Sequence, residues 1–209
     1  MYSLAPVDAS DQTGRERIRD AALHLFGEVG FDGTSVRAVA DVASVSAGLV
    51  IHHFGSKEGL RIAVDEAVVE RFRSTVEEAT AGAMHVADVE RTSASWGRAL
   101  GSVILADPDL RSYLRRSLLD GSGPGSAVID HLLTETQRGI DALARAGTLR
   151  ADIDREWLPY QILFVVLGPL LFEKFMQRRI ATPMFDPAMV DRRSAASYDL
   201  LSRGMRADD

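Results

Sequence analysis

Apolar side chains recur at spacings of three and four residues over most of the chain, which is the period of an α-helix that buries one face. The first such stripe predicts a helix over residues 13–28 that stops before Gly30. Hydroxyl side chains can accept from the free N–H groups of a helix start, and three of them predict three further helices. The expected caps are Thr34, Ser46 and Ser56, with a turn at residues 43–45 between the first two of these helices.

The rest of the chain has the same period and recognisable helix ends. Alternation with a period of two, which is expected of a half-buried strand, is absent from the sequence. The sequence therefore predicts an all-α protein of about nine helices. The longer helices are predicted over residues 88–105, from 107 onward, over 126–146, over 154–179 and over 187–205, with a glycine-rich break at 121–125. Pro169 is expected to kink the helix over 154–179 near Val165.

Composition places the chain among folded globular proteins. Of its 209 residues, 46% are hydrophobic and 26% are charged, and none is cysteine, which excludes disulfides and thiolate chemistry. The longest apolar run, residues 162–172, is too short for a membrane span and predicts a core helix. Residues 1–11 lack the basic and apolar regions of a secretory signal. We therefore expect a cytoplasmic protein without a membrane partner.

The first sixty residues predict a helix-turn-helix, in which two short helices are joined by a tight turn and a third helix packs behind them. The second of the two short helices can enter the major groove of DNA, and here it covers residues 46–53. Its period turns Val50 inward and leaves Leu49, Ile51 and His52 facing outward. Outward apolar side chains beside a pair of histidines predict a contact surface. The adjacent histidines point about 100° apart on a helix, so no metal site is predicted.

A dense set of motifs spans the same region. The motifs are Ile18-Arg-Asp-Ala-Ala-Leu-His-Leu-Phe26, Gly30-Phe31, Thr34-Ser35-Val36, Val39-Ala40, Val45-Ser46, His53-Phe54 and Ser56-Lys57-Glu58 through Leu60. In this order and at these spacings they resemble the N-terminal domain of the TetR family of bacterial transcriptional regulators, over about residues 13–63.

The resemblance implies a division of the chain. It predicts a flexible N-terminal arm at residues 1–12, a helix-turn-helix DNA-binding domain at residues 13–60, and a larger helical domain at residues 61–209 that binds a ligand and dimerises. It implies a homodimer that binds a palindromic double-stranded DNA operator and is released by a small-molecule effector, which is the behaviour of a repressor. No cofactor is implied.

The resemblance also implies which residues contact DNA. Thr34 and Ser35 match positions that approach phosphate, where the N-terminal end of a helix favours an anion. Positions 47–49 match residues that face base edges, and the histidine pair and Lys57 match positions near the sugar-phosphate backbone. The implied DNA-binding residues are Thr34, Ser35, Ser46, Ala47, Gly48, Leu49, Ile51, His52, His53 and Lys57.

Two positions depart from the family pattern. Tyrosine is usual where this chain has Ile51, and threonine is frequent where it has Leu49. With apolar side chains at both positions, direct readout depends on thymine methyl groups and on DNA shape more than on hydrogen bonds. We hypothesise that DNA affinity is weaker or more dependent on context than in a typical member.

The charge balance leaves a second class of function open. The net charge is −6, so attraction to DNA must come from a local patch. The alternative is a helical small-molecule or protein-binding module without sequence-specific DNA recognition. Steep salt dependence of DNA binding separates the two classes. The sequence has no phosphate-binding loop, nucleophile elbow or paired acids, so no catalytic residue and no enzyme is predicted.

The C-terminal region offers candidates for a ligand pocket and a dimer interface. The pocket candidates are aromatic residues with a polar group, namely Trp96, Tyr113, Trp157 and Tyr160. His131 lies off the apolar stripe of its helix and is expected to be solvated. The density of apolar residues around Pro169, together with the final helix, predicts a two-fold dimer interface. The interface candidates are Phe164, Leu171, Ala196, Leu200 and Leu201.

Overall fold

The structure is a computed structural model that describes residues 9–81, 107–121 and 123–205. These residues form helices joined by turns and loops, which confirms the predicted all-α class. The predicted helix over residues 88–105, which includes Trp96, lies outside the described residues. The ten helices of the described residues are α1 (Ala9–Glu28), α2 (Gly30–Gly33), α3 (Val36–Ala43), α4 (Ala47–Phe54), α5 (Lys57–Ala81), α6 (Pro108–Asp120), α7 (Pro124–Arg145), α8 (Leu158–Leu171), α9 (Glu173–Met176) and α10 (Pro187–Met205).

The chain forms two compact units. The first contains residues up to Val69 together with Asp109–Pro124, and the second contains Glu70–Pro108 and Gly125–Asp209. Within the residues that the structure describes, no helix is long and apolar enough to cross a membrane. By this division, the helix-turn-helix lies in the first unit, which also includes most of α6.

The first unit has a core to which each of its longer helices contributes. Ile18 and Phe26 of α1, Val39 of α3, Val50 of α4 and Leu60 of α5 are each at most 1% exposed. Burying an aliphatic or aromatic side chain of this size stabilises a fold by about 1.5–3 kcal/mol relative to leaving it in water. This core holds the short α4 against α1 and α3.

Helix starts agree with the predicted caps at two of three positions. Ser46 accepts from the backbone N–H of Leu49 at 3.1 Å, and Ser56 accepts from that of Gly59 at 2.9 Å. The third prediction, Thr34, is wrong: Ser35 is the residue with extended backbone, and its hydroxyl accepts from the N–H of Ala38 at 3.1 Å. At the other end of the unit, α1 begins at Ala9, so residues 9–12 of the expected arm are helical.

In the second unit, α8 is shorter than predicted. The carboxylate of Asp154 accepts from two backbone N–H groups at 3.0 Å, and the helix proper begins at Leu158. It ends at Leu171, two residues after Pro169, and does not run on to residue 179. Proline lacks an N–H, so the helix is missing the hydrogen bond from position 169 to the carbonyl of residue 165. After a break at Phe172 the chain forms only the single turn α9.

The ends of α7 and α10 meet in an apolar cluster of the second unit. Ile140, Leu149 and Leu158 are its buried members. The last residue of α10, Met205, packs against the cluster, and its carbonyl accepts from the N–H of Arg150 at 2.9 Å. These contacts hold the C-terminal end of α10 to the loop after α7.

Candidate nucleic-acid interface

The α4 helix presents one buried and one exposed face. Val50 is fully buried, whereas Ile51 is 43% exposed, and Gly48 and His52 are also exposed. Leu49 is half-buried. The core thus holds the inward side of α4 and leaves its outward face open, as a helix that enters a DNA groove requires.

The turn before α4 is tight and fixes the angle at which this helix leaves α3. Ser44 adopts a left-handed backbone with φ of 55°, and its N–H donates to the carbonyl of Asp41 at 3.2 Å. The N–H of Val45 donates to the carbonyl of Ala40 at 2.9 Å. A left-handed backbone conformation is unfavourable for a residue other than glycine, so the contacts around Ser44 must maintain it.

The two hydroxyls before α3 have different surroundings. Thr34 is 4% exposed, and its hydroxyl donates to the carbonyl of Gly30 at 2.8 Å. Ser35 is exposed at the helix N-terminus, where free N–H groups and the helix dipole favour an anion. Ser35 is therefore the better placed of the two hydroxyls for a phosphate.

The predicted backbone-contacting residues lie in the last turn of α4 and at the start of α5. His52 is exposed and His53 is half-buried, and their ring centroids lie 5.5 Å apart with the planes inclined by 60°. Lys57 is the first residue of α5, and its ammonium lies over the ring of Phe31 at 4.2 Å from the centroid. In the described part of the chain, no group of three histidine or acidic residues could hold a metal ion.

Contacts between α1 and α6 complete the first unit, and sequence reasoning missed them. His24 Nδ1 lies 2.8 Å from the carboxylate of Asp109, and this hydrogen bond raises the pKa of His24. The guanidinium of Arg116 donates to the carbonyl of Glu28 at 3.3 Å, where α1 ends. Gly27 lies so close to α6 that a Cβ atom there would be 3.0 Å from the backbone nitrogen of Tyr113. A glycine inside a strongly periodic helix was the available signal for this close approach.

The four predicted pocket residues are not all brought together. Trp96 lies outside the described residues. Tyr113 is buried in the first unit, where its hydroxyl donates to the carboxylate of Asp65. Burial raises the pKa of both groups, and the hydrogen bond raises that of Tyr113 further. Trp157 and Tyr160 lie in the second unit with their ring centroids 5.4 Å apart.

His131 is the residue whose predicted environment is wrong. Its ring meets the edge of Phe72 at 5.9 Å between centroids, and its Nε2 atom is buried without a hydrogen-bond partner among the described residues. Its position off the apolar stripe of α7 indicated solvent, but α7 has a neighbour on that side as well. Arg193 Nη1 is a second buried atom of this kind in the same unit, and burial lowers the pKa of Arg193.

The predicted dimer residues lie on α8 and α10 of the second unit. Phe164 and Leu200 are 61% and 68% exposed, and Ala196 is exposed as well. Leu171 and Leu201 are half-buried. Trp157 lies next to Phe164, with 6.2 Å between their ring centroids.

Comparison with known proteins identifies the class to which this fold and helix-turn-helix belong. Residues 18–64 match the sequence pattern described as "Bacterial regulatory proteins, tetR family". The HTH-type transcriptional regulatory protein RaaS of Mycobacterium tuberculosis is 38% identical to this chain over 146 residues, which cover 70% of this chain and 64% of RaaS. The HTH-type transcriptional regulator UidR of Escherichia coli is 39% identical over 70 residues, which cover 32% of this chain and 36% of UidR.

A solved structure extends the likeness to the whole fold. The ketosteroid transcriptional regulator KstR2 of Mycobacterium tuberculosis superposes with a TM-score of 0.70 at 16% identity, covering 93% of this chain and 95% of that one. The sequence matches span less than two thirds of the length of the two curated relatives. Residues 18–64 of the chain belong to the tetR family of bacterial regulatory proteins.

Proposed function

We propose that the chain is a transcriptional regulator that binds a palindromic DNA operator as a homodimer and is released by a small-molecule effector, and so acts as a cytoplasmic repressor. The observation that carries the proposal is the α4 helix, which is capped by Ser46, held by the buried Val50 and open along the face of Ile51 and His52. This is the arrangement that a helix needs to reach base edges.

The exposed aromatic and aliphatic face of α8 and α10 supports the homodimer. Trp157, Phe164 and Leu200 are each at least half exposed. Trp157 and Phe164 lie side by side, with ring centroids 6.2 Å apart, and adjacent exposed aromatic rings are typical of an interaction site. A second copy of the chain is the occupant that a palindromic operator calls for, since two-fold protein symmetry matches two half-sites.

The second unit is the proposed effector-binding part. The buried Nε2 of His131 and Nη1 of Arg193 have no hydrogen-bond partner among the described residues. Buried polar atoms without partners are costly, and a ligand that supplies hydrogen-bond partners removes that cost. An effector releases DNA only if it binds the two states of the dimer with different affinity.

Selection of bound duplexes from a random pool tests the DNA-binding proposal. We expect the dimer to enrich a palindrome, and the affinity of the enriched duplex to fall steeply as salt concentration rises, because phosphate contacts release counterions. Gly48→Glu and His52→Glu on α4 should abolish enrichment. The matched control is Gly139→Glu on the exposed side of α7 in the second unit.

Enrichment of no sequence by a well-folded dimer would contradict the proposal. That result would favour the alternative class, a helical small-molecule or protein-binding module. The first residues to replace would then be Leu49 and Ile51, the two apolar residues on the open side of α4.

A further inference from the structure

One aromatic ring of the first unit lies beneath two cations that differ in their surroundings. The Lys57 ammonium is 4.2 Å, and the Arg61 guanidinium 5.3 Å, from the centroid of the Phe31 ring. Arg61 is also hydrogen-bonded through Nε to the carboxylate of Glu58 at 2.9 Å. No carboxylate pairs with Lys57 among the residues that the structure describes. Arg61 is therefore paired with a carboxylate, whereas the ammonium of Lys57 lies against the ring of Phe31 and can approach a phosphate.

The ring that carries Lys57 is itself held in place. Phe31 meets the buried Phe26 edge to face, with centroids 5.5 Å apart. Its carbonyl accepts from the N–H of Thr34 at 3.1 Å, and the Thr34 hydroxyl donates to the carbonyl of Gly30 at 2.8 Å. These bonds tie Phe31 to the turn that ends at Ser35, the cap of α3.

Phe31 thus joins the starts of two helices. Ser35 caps the start of α3 and Lys57 is the first residue of α5, and both residues are proposed to contact phosphates. A lysine side chain has many rotamers, and holding one of them in the free protein lowers the entropy lost on binding. A cation over an aromatic face is attracted by the ring quadrupole, which supplies that restraint.

We propose that Phe31 is a positioning residue for DNA binding, whose ring holds the Lys57 ammonium where it meets a phosphate. The proposal rests on the proposed function, because it requires that the chain binds DNA. Phe31 itself contacts no base in this proposal and acts through Lys57. Tyrosine keeps the ring face and should serve equally well, whereas leucine keeps the apolar volume and loses the ring.

A double-mutant cycle on the full-length chain tests this role. The variants are Phe31→Leu, Lys57→Met and the pair together, with Phe31→Tyr as the conservative replacement. Lys174→Met is the matched control, because Lys174 is the other lysine of the chain and lies in the second unit. Fluorescence anisotropy measures Kd for the selected operator and for an unrelated duplex at several salt concentrations, and thermal melting verifies that each variant is folded.

The expected results follow from the contact. Lys57→Met should weaken binding to both duplexes and lower the slope of log Kd against log salt by about one phosphate contact. Phe31→Leu should weaken operator binding by about two- to fivefold, the range of an exposed cation–π contact. Phe31→Leu should cause little further loss of affinity when residue 57 is already methionine. The Phe31→Tyr and Lys174→Met variants should bind as the unchanged chain does.

Two outcomes would overturn the positioning role. One is a Phe31→Leu variant that binds as well as the unchanged chain. The other is an equal loss from Phe31→Leu whether position 57 is lysine or methionine, since that would make Phe31 merely structural. If the unchanged dimer binds no duplex, the proposed function itself fails, which is a different result from either of these.

Discussion

Ile51 is the residue at which α4 differs most from a recognition helix that forms hydrogen bonds with DNA. Its side chain is 43% exposed and has no hydrogen-bonding group, so it favours contact with apolar groups. We expect that replacing the facing thymine of the operator by deoxyuridine, which lacks the methyl group, weakens binding by about fourfold, the value of one buried methyl. Anisotropy titrations of the two duplexes measure the difference.

The same titrations with variants place the effect on α4. Ile51→Ala should reduce the difference between thymine and deoxyuridine. Ile62→Ala, at a position of α5 that is 48% exposed, should leave it unchanged. A preference that is indifferent to every thymine methyl in the half-site would count against apolar readout.

His24 makes the first unit dependent on pH in a defined direction. Its hydrogen bond to Asp109 raises its pKa above the usual value, although burial opposes part of the rise. A histidine with a raised pKa in the folded state stabilises the fold fully below its unfolded pKa of about 6.5 and loses that effect as pH rises through the folded pKa. The two side chains are 45% and 40% exposed, so the contribution is below about 1 kcal/mol.

The measurement is the free energy of unfolding of His24→Gln and of the unchanged chain. We expect the variant to be less stable near pH 5.5 and the two proteins to converge near pH 8.5, in the order that linkage requires. In an Asp109→Asn background the same substitution should have a much smaller pH-dependent effect, because only the weaker attraction of Glu28 then raises the pKa of His24. A stability difference that is constant with pH would show that the ion pair contributes nothing.

The sequence alone does not determine which of two adjacent hydroxyl residues, Thr34 or Ser35, caps α3. Thr34 and Ser35 are both good caps by residue type, and their side chains cannot be ranked from the sequence. The choice depends on which residue has an extended backbone, and this is Ser35, with φ of −106° and ψ of 154°. Thr34 is turned inward to the carbonyl of Gly30.

At the scale of elements, the contact between α1 and α6 can be tested through one glycine. A Cβ atom at Gly27 would lie 3.0 Å from the backbone nitrogen of Tyr113 and 3.1 Å from the Cβ of Ser112. Helix propensity alone favours alanine over glycine by about 1 kcal/mol. We nevertheless expect Gly27→Ala to destabilise the protein by about 1–3 kcal/mol in chemical denaturation, because backbone atoms cannot move aside cheaply.

Gly139 provides the matched control for this prediction. It lies inside α7, and a Cβ atom there would meet nothing within 4 Å. Gly139→Ala should therefore stabilise the protein by about 0.5–1 kcal/mol. Stabilisation by both substitutions would mean that α6 does not pack against α1 as the structure has it.

Elements differ in how far the sequence can predict them. Period and caps predicted α3, α4 and the start of α5 within a residue or two, because their signals are local. The predicted end of α8 was wrong, because a proline such as Pro169 indicates a disturbed helix but does not indicate whether the helix continues after it. The grouping of Asp109–Pro124 with the first unit depends on contacts with α1 and α5, which no local pattern encodes.

For the whole molecule, the decisive question is what covers the apolar face of α8 and α10. Phe164 and Leu200 are 61% and 68% exposed, and the proposed occupant is a second copy of the chain. A glutamate at either position would place a charge in the interface, where it loses water without gaining a partner. We expect Phe164→Glu and Leu200→Glu each to weaken dimerisation by about tenfold or more, measured by sedimentation velocity over a range of concentrations.

A third substitution separates this interface from a general effect of added charge. Leu119 on α6 is 71% exposed and lies in the first unit, so Leu119→Glu should remain dimeric. The two interface variants should also lose affinity for a palindromic operator while keeping weak affinity for a single half-site, because the α4 surface is unchanged. Dimers that persist in both variants would place the interface on another surface and remove α8 and α10 from the proposed mechanism.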